Sequence, residues 1–288
     1  MHTVNAKGIL SSQNGMNIYR GCTHGCIYCD ARSTCYQMNH EFEDVEVKIN
    51  APELLEHSLL HKRKKCMIGT GAMSDPYQQC EKDLRLTRRC LELIDKYNFG
   101  LAIQTKSDMI LRDLDLLKSI NKKSKCVVQI TLTTFDDSLC KILEPNVCVT
   151  SRRVEVLKIM RDEGIPTVVW LTPFLPYING TLENARGLMD CCLDAKVHGI
   201  ILFGAGLTLR DGDRQYYYKK LDEHFPGVKQ KYFINYGDAY ELPCAESSQI
   251  VRYVKDVCAK NKMIMDNEVF SYLHEFYDKV GNGQMELF

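Results

Sequence analysis

After about residue 50, short apolar runs alternate with longer stretches in which apolar residues recur every three or four positions. The short runs at 66–69, 101–105, 127–133, 167–172 and 200–204 are bounded by glycine, proline or polar residues and predict β-strands. A further strand is expected near 17–19, leading into a cysteine-rich loop. The longer stretches at 52–62, 81–97, 111–120, 151–163, 182–195 and 213–224 carry helical periodicity. Ser151 is placed to cap its helix, and Gly164 and Pro166 follow the end, as helix start and stop chemistry requires. Strand and helix thus alternate through six units, which predicts an α/β fold with a mainly parallel sheet. Past Tyr232 the rhythm changes: Asn235-Tyr236-Gly237-Asp238 reads as turn-rich, ahead of two terminal helices at 247–260 and 267–279. The expected organisation is a core over 1–230 and a C-terminal extension over 231–288 packing on the same domain.

With 288 residues, 45% of them hydrophobic, the chain can bury one large core. Its apolar segments are interrupted well short of the roughly 20 residues that a membrane-spanning helix needs, so no membrane partner is expected. Lys+Arg and Asp+Glu both number 37, leaving no global positive field to hold a nucleic-acid backbone and making duplex DNA a poor partner. With no signal peptide in view, a reducing cytoplasmic setting is expected, and disulfides fit it badly. Most of the 14 cysteines are scattered; Cys90, Cys126, Cys140 and Cys258 occupy apolar positions where a free thiol packs as a small hydrophobe. Cys191 and Cys192 are adjacent on a predicted helix and point in different directions, a poor metal pair.

Cys22, Cys26 and Cys29 stand apart from that pattern. Their Cys-x3-Cys-x2-Cys spacing suits three thiolates on an iron–sulfur cube with one iron left open for a small chelating molecule. A zinc site with His24 as fourth ligand is the competing reading, but no second cysteine pair is evident. In a parallel barrel, ligands gather at the strand C-termini. There the chain places Gly69-Thr70-Gly71-Ala72-Met73-Ser74-Asp75, Lys106-Ser107, Thr133-Thr134, Pro173 and Gly204-Ala205-Gly206.

The cysteine motif, with Tyr28 just before its third cysteine, resembles the signature of radical S-adenosylmethionine (SAM) enzymes. That resemblance implies a partial (β/α)6 TIM-like barrel, a [4Fe-4S] cluster, SAM bound at the open iron, and an external one-electron donor such as flavodoxin or ferredoxin. It also implies reductive cleavage of SAM to a 5′-deoxyadenosyl radical that removes a substrate hydrogen. Ser74-Asp75-Pro76-Tyr77-Gln78, Leu86-Thr87-Arg88, and Glu144-Pro145 ahead of Arg152-Arg153 resemble the spore photoproduct lyase-related branch, a likeness over roughly residues 16 to 205. By that likeness Lys106 pairs with the SAM carboxylate, Thr131 is a second contact, Tyr28 lies beside the adenine, and Ser74, Asp75 and Arg153 belong to the cofactor site. Asp75 reads equally as a turn-capping carboxylate ahead of Pro76, and Arg153 as part of a solvated first helical turn.

The chain departs from photoproduct lyases at two places. Their hydrogen-donating cysteine is replaced by Ala72, and the tyrosine after their third cluster cysteine by Asp30. Photoproduct repair is therefore disfavoured. Within the branch the chain most resembles queuine lyases, including at 232–241 and at Met285-Glu286-Leu287-Phe288, which implies a small nucleotide substrate, queuosine 5′-phosphate. Asp30, Asp75, Asp238 and Glu241 are candidate acceptors for the N–H groups of such a base. Tyr77, Tyr236 and Tyr240 are candidate stacking partners, and Arg20, Arg32, Arg210 and Arg214 candidate phosphate ligands. A DNA repair enzyme and a noncatalytic iron–sulfur or zinc interaction module are the competing classes. No acid–base triad is expected, because the cofactor carries the hard chemistry.

Overall fold

The computed structural model describes residues 1–279; the terminal Met285-Glu286-Leu287-Phe288 segment lies outside the described residues. The strands in chain order are β1 (His2–Val4), β2 (Gly15–Met16), β3 (Tyr19–Arg20), β4 (Glu46–Lys48), β5 (Met67–Thr70), β6 (Gly100–Thr105), β7 (Cys126–Thr131), β8 (Thr167–Trp170), β9 (Gly199–Ile201), β10 (Gly206–Thr208), β11 (Glu241–Pro243) and β12 (Ile264–Met265). Seven of them form one parallel sheet in the order β12-β9-β8-β7-β6-β5-β2. This is the expected α/β architecture, a partial barrel of the TIM-like type. No helix among the described residues is long and apolar enough to cross a membrane.

The alternation of side chains along each strand decides how the sheet is used. One face carries Leu101, Ile103, Val128, Ile130, Val169 and Ile200, packed in a core with apolar residues of the helices Leu86–Lys96, Leu114–Lys123 and Thr150–Asp162. The other face carries Met67, Ala102, Val127, Val168 and Ile201. The C-terminal helix Asp266–His274 plugs that second face, setting Val269, Phe270 and Leu273 against it. Farther along the same face the residues turn polar, through Gln104 and Lys106 after Ala102, and Gln129 and Thr131 after Val127. The plug therefore closes one end of the barrel's interior and leaves the end at the strand C-termini for a ligand.

Several local expectations give way to longer-range partners. Rather than one strand near 17–19, β2 joins the main sheet beside β5, while β3 turns away to pair antiparallel with β4. The helix expected over 81–97 breaks at Arg85 (φ +51°) into Glu81–Leu84 and Leu86–Lys96. The break lets the buried Glu81 carboxylate accept the Thr87 and Arg88 backbone N–H groups at 3.0 and 3.4 Å, capping the second piece. Ser151 is not a cap: its helix begins at Thr150, and the Asp137 carboxylate accepts the Ser151 N–H and hydroxyl at 2.9 and 2.5 Å. Asn235 and Tyr236 end a helix, Val228–Tyr236, which stops at Gly237 in a positive-φ conformation. The last helix ends at His274, earlier than the periodicity predicts.

Candidate active site

A cavity of about 670 Å³ opens at the C-terminal ends of the sheet strands. Its size suits a small-molecule ligand. The cysteine loop forms part of its wall and is anchored at both ends. Gly21, at φ +85°, lets the chain pass close to the Phe42 carbonyl, which accepts the Cys22 N–H at 3.1 Å. Ile27 N–H donates to the Leu143 carbonyl at 3.0 Å, and Asn146 N–H to the His24 carbonyl at 3.1 Å. From below, the Ser74 hydroxyl donates to the Gly21 carbonyl at 2.6 Å, and the Gln78 amide contacts both Ser74 and Thr23.

Cys22, Cys26 and Cys29 all face the cavity as free thiols. Burial pushes the Cys22 thiol up to about 12, with the nearby Asp75 carboxylate adding to it. Burial raises Cys26 and Cys29 as well. Thiolates there need the positive charge of a metal centre. Among the described residues no fourth cysteine lines the cavity, and three thiols around one cavity suit an iron–sulfur cube with an open corner.

Lys106 follows β6 on the same wall. Burial works against its charge, but Cys26 and Glu144 outweigh burial and raise the amine above its ordinary value, so it is a cation at neutral pH. Behind the wall lies a buried carboxylate hub. Glu144 accepts the Tyr28 hydroxyl and, at 3.1 Å, the Thr133 hydroxyl, while Arg153 Nη2 lies 2.6 Å from its other oxygen in an ionic contact. Burial opposes ionisation of Glu144, but Arg153, Lys106 and the Tyr28 hydrogen bond hold its carboxyl down at about 2. The Tyr28 hydroxyl is raised well above its usual range by burial and by Glu144, so it stays protonated and donates.

Asp75 is fully occupied by the protein: it accepts the Thr105 hydroxyl at 2.7 Å and the backbone N–H groups of Lys106 and Tyr77, each at 2.8 Å. His24 Nδ1 lies 3.5 Å from it. Burial, together with Lys106 and Arg153, lowers the His24 pKa, so this contact joins a neutral ring to a carboxylate.

Of the residues singled out in the sequence, Cys22, Cys26, Tyr28, Cys29, Asp30, Ser74, Asp75, Lys106, Thr131 and Glu241 come together on the cavity wall, as does Ala72. Four do not. Tyr77 is 1% exposed and donates its hydroxyl to Asp113 at 3.1 Å, so its ring belongs to the core and is closed to a ligand. Arg153 is neither solvated nor on the wall; it is locked on Glu144 and the Cys148 and Thr131 carbonyls. Tyr236 donates to the Pro243 carbonyl at 2.6 Å and packs beside Tyr177 and Tyr232. Asp238 stands off the wall, and its carbonyl accepts from Arg214. Among the proposed phosphate ligands, Arg20 and Arg214 are spent on backbone carbonyls and Arg32 on Glu43 and the Phe42 and Tyr216 rings. Arg210 reaches Asp30 at 3.9 Å and the Tyr240 hydroxyl at 2.8 Å.

Sequence reasoning missed Trp170 and Phe203 on the wall. Phe203 is 67% exposed and stacks on Phe270 of the plug helix at 5.5 Å and 13°. The signal was available: Trp170 is two residues beyond Val168 and Phe203 two beyond Ile201, on the strand face that carries Ala102 and Val127.

Residues 16–186 match the family described as the radical SAM superfamily. An uncharacterized protein of Methanocaldococcus jannaschii is 36% identical over 175 residues, 60% of this chain and 64% of that protein, so the match spans less than two thirds of that relative's length. An uncharacterized protein of Mycobacterium tuberculosis is 27% identical over 265 residues, covering 88% and 75% of the two chains. Among solved structures, spore photoproduct lyase complexed with dinucleoside spore photoproduct superposes with a TM-score of 0.59 at 12% identity, over 86% of this chain and 74% of that one. A mutant of the same lyase gives 0.62 at the same identity and coverage. At that identity the likeness is one of fold.

Proposed function

Since this chain belongs to the radical SAM superfamily, we propose that it releases the base queuine from queuosine 5′-phosphate. Enzymes of this family use a [4Fe-4S] cluster and SAM, act on a small-molecule substrate and take an electron from an external donor; a flavodoxin or ferredoxin is the donor in this reading. The observation that carries it is the composition of one cavity wall. It holds the three thiols and Lys106 together with the carboxylates of Asp30 and Glu241, and the exposed Phe203 ring. A guanine-like edge and a protonated side-chain amine offer N–H donors to such carboxylates. The flat ring of Phe203, backed by Phe270, offers a stacking platform for the base.

Cys22, Cys26 and Cys29 would hold the cluster, and the Lys106 ammonium would pair with the SAM carboxylate as a point charge. Thr131 is a second contact, and Tyr28, fixed by Glu144, lines the adenine side. Ser74 and Asp75 act on the cofactor site indirectly, by bracing Gly21 and the Lys106 backbone. Arg153 acts through Glu144. When bound, the cluster and SAM would supply the abstraction of a hydrogen atom from the ribose. The protein's task is to place that C–H bond and exclude water, which the plug beneath the cavity favours. Ala72 on the wall has no transferable hydrogen, which argues against photoproduct return chemistry in the same cavity.

The test is anaerobic incubation of cluster-reconstituted protein with dithionite, SAM and queuosine 5′-phosphate, following queuine and 5′-deoxyadenosine by liquid chromatography and mass spectrometry. Both products are expected, and neither from the Cys22→Ala/Cys26→Ala/Cys29→Ala variant. Deoxyadenosine without free queuine rejects the substrate; repair of a dinucleoside photoproduct in a parallel reaction would point to the repair enzyme instead.

A further inference from the structure

We propose that His2, His40 and Asp44 form a binding site for one divalent transition-metal ion of the zinc type, separate from the cysteine cluster, that ties the N-terminal strand to the segment behind the cysteine loop. One donor atom from each of the three lies within 4.8 Å of the other two, and all three residues are half-buried. The His2 and His40 rings meet edge-on with centroids 4.9 Å apart. His2 Nδ1 is 2.9 Å from Asp44 Oδ2, and the Met1 amino group lies 2.8 Å from Asp44 Oδ1.

The second observation concerns the His40 ring. Its Nδ1 lies 2.9 Å from the Glu41 carbonyl, which can only accept, so Nδ1 carries the hydrogen. The lone pair is then on Nε2, which is buried and has no hydrogen-bond partner among the described residues. An orphaned buried acceptor of this kind is costly, and a metal ion satisfies it. A ligating histidine is commonly held in this way, with its other ring N–H on a backbone carbonyl. Two imidazoles and one carboxylate suit zinc, nickel or cobalt better than magnesium or calcium, which prefer oxygen throughout. Tetrahedral bonds of about 2.0–2.1 Å set neighbouring donor atoms roughly 3.3 Å apart, so the donors shift by about 1 Å or less, the His2 Nδ1–Asp44 hydrogen bond giving way to the ion, and water completes the coordination.

None of the three residues lines the cofactor cavity. The site lies where β1 and β4 pair, with the His2 N–H on the Val45 carbonyl at 3.0 Å. Phe42, between His40 and Asp44, supplies the carbonyl that accepts the Cys22 N–H. An ion there fixes the segment that supports the first cluster cysteine.

The test uses anaerobic, cluster-loaded protein dialysed against micromolar Zn²⁺. One zinc per chain is expected in addition to the cluster iron. Its K-edge absorption should show only nitrogen and oxygen near 2.0–2.1 Å, with no sulfur near 2.3 Å. His40→Gln and Asp44→Asn should each weaken zinc binding at least tenfold while iron content and zinc-free melting temperature stay unchanged. The thermal midpoint of the parent protein should rise with zinc concentration. Zinc held through sulfur, no zinc bound at micromolar concentration, or full retention in both variants overturns the proposal. The absorption measurement needs no variant, so a substitution that fails to fold does not spare it.

Discussion

Replacing Arg153 with methionine removes the one arginine that, among the described residues, is paired with the buried Glu144 carboxylate and leaves Lys106 as its nearby cation. Both partners of the pair are about 1% exposed, and the contact is 2.6 Å, so solvent cannot take the place of the lost guanidinium. Lowering the carboxyl from 4.5 to about 2 corresponds to about 3 kcal/mol in favour of the charged form. Breaking a buried pair by removing one partner costs about 3–5 kcal/mol, in agreement with that figure. For a chain of this length the expected fall in melting temperature is roughly 5–8 °C. The sign with pH follows from the depressed carboxyl. Its contribution is complete above about pH 4.5 and is lost as pH falls towards about 2. Urea unfolding followed by circular dichroism at pH 7 and at pH 3.5 reads both effects. Arg153→Met should narrow the stability difference between the two pH values. The double variant Glu144→Gln/Arg153→Met should lose less than the sum of the single losses, because neither charge is then left alone. A loss under about 1 kcal/mol in Arg153→Met at pH 7, or strict additivity, would refute the buried-hub account.

Two further outcomes are expected. Lys106→Met should weaken SAM binding by about 10- to 100-fold, the worth of a charge-assisted contact, with iron content unchanged; anaerobic calorimetry with SAM measures it, and unaltered affinity removes Lys106 from the cofactor site. Gly71→Ala should destabilise the protein by at least about 1–3 kcal/mol, because Gly71 sits at φ +100° and a Cβ there would run into the Gln104 carbonyl. The urea midpoint checks it, and a change within 0.5 kcal/mol, ordinary for a neutral surface site, contradicts the close approach.

The strand–helix alternation and the cysteine spacing were legible because both are local. A run such as 126–131, buried throughout its length, announces a central strand by composition alone, and three cysteines within eight residues announce a metal loop. The same applies to Lys106, which immediately follows a readable strand. What failed were inferences about residues whose surroundings come from distant segments. Tyr77 looks like a ligand-facing aromatic beside Ser74 and Asp75, yet Asp113 draws its hydroxyl into the core. Arg153 looks solvated on the first turn of a helix, yet Glu144 meets it across a loop. Glu81 breaks a periodic helix because its carboxylate serves the N-terminus of the next one.

By itself, then, the order of residues determined which short segments extend, which coil, and which three thiols share a loop, since those outcomes follow from side-chain alternation and spacing within a few residues. Only the tertiary structure decided that the C-terminal helix plugs one end of the sheet face, that Asp30, Glu241 and Phe203 share a wall with Lys106, and that Glu144 fixes Tyr28. Each of those depends on a contact between residues far apart along the chain, whose strength is set by burial and by the neutralisation of charge away from water, and no local pattern records it.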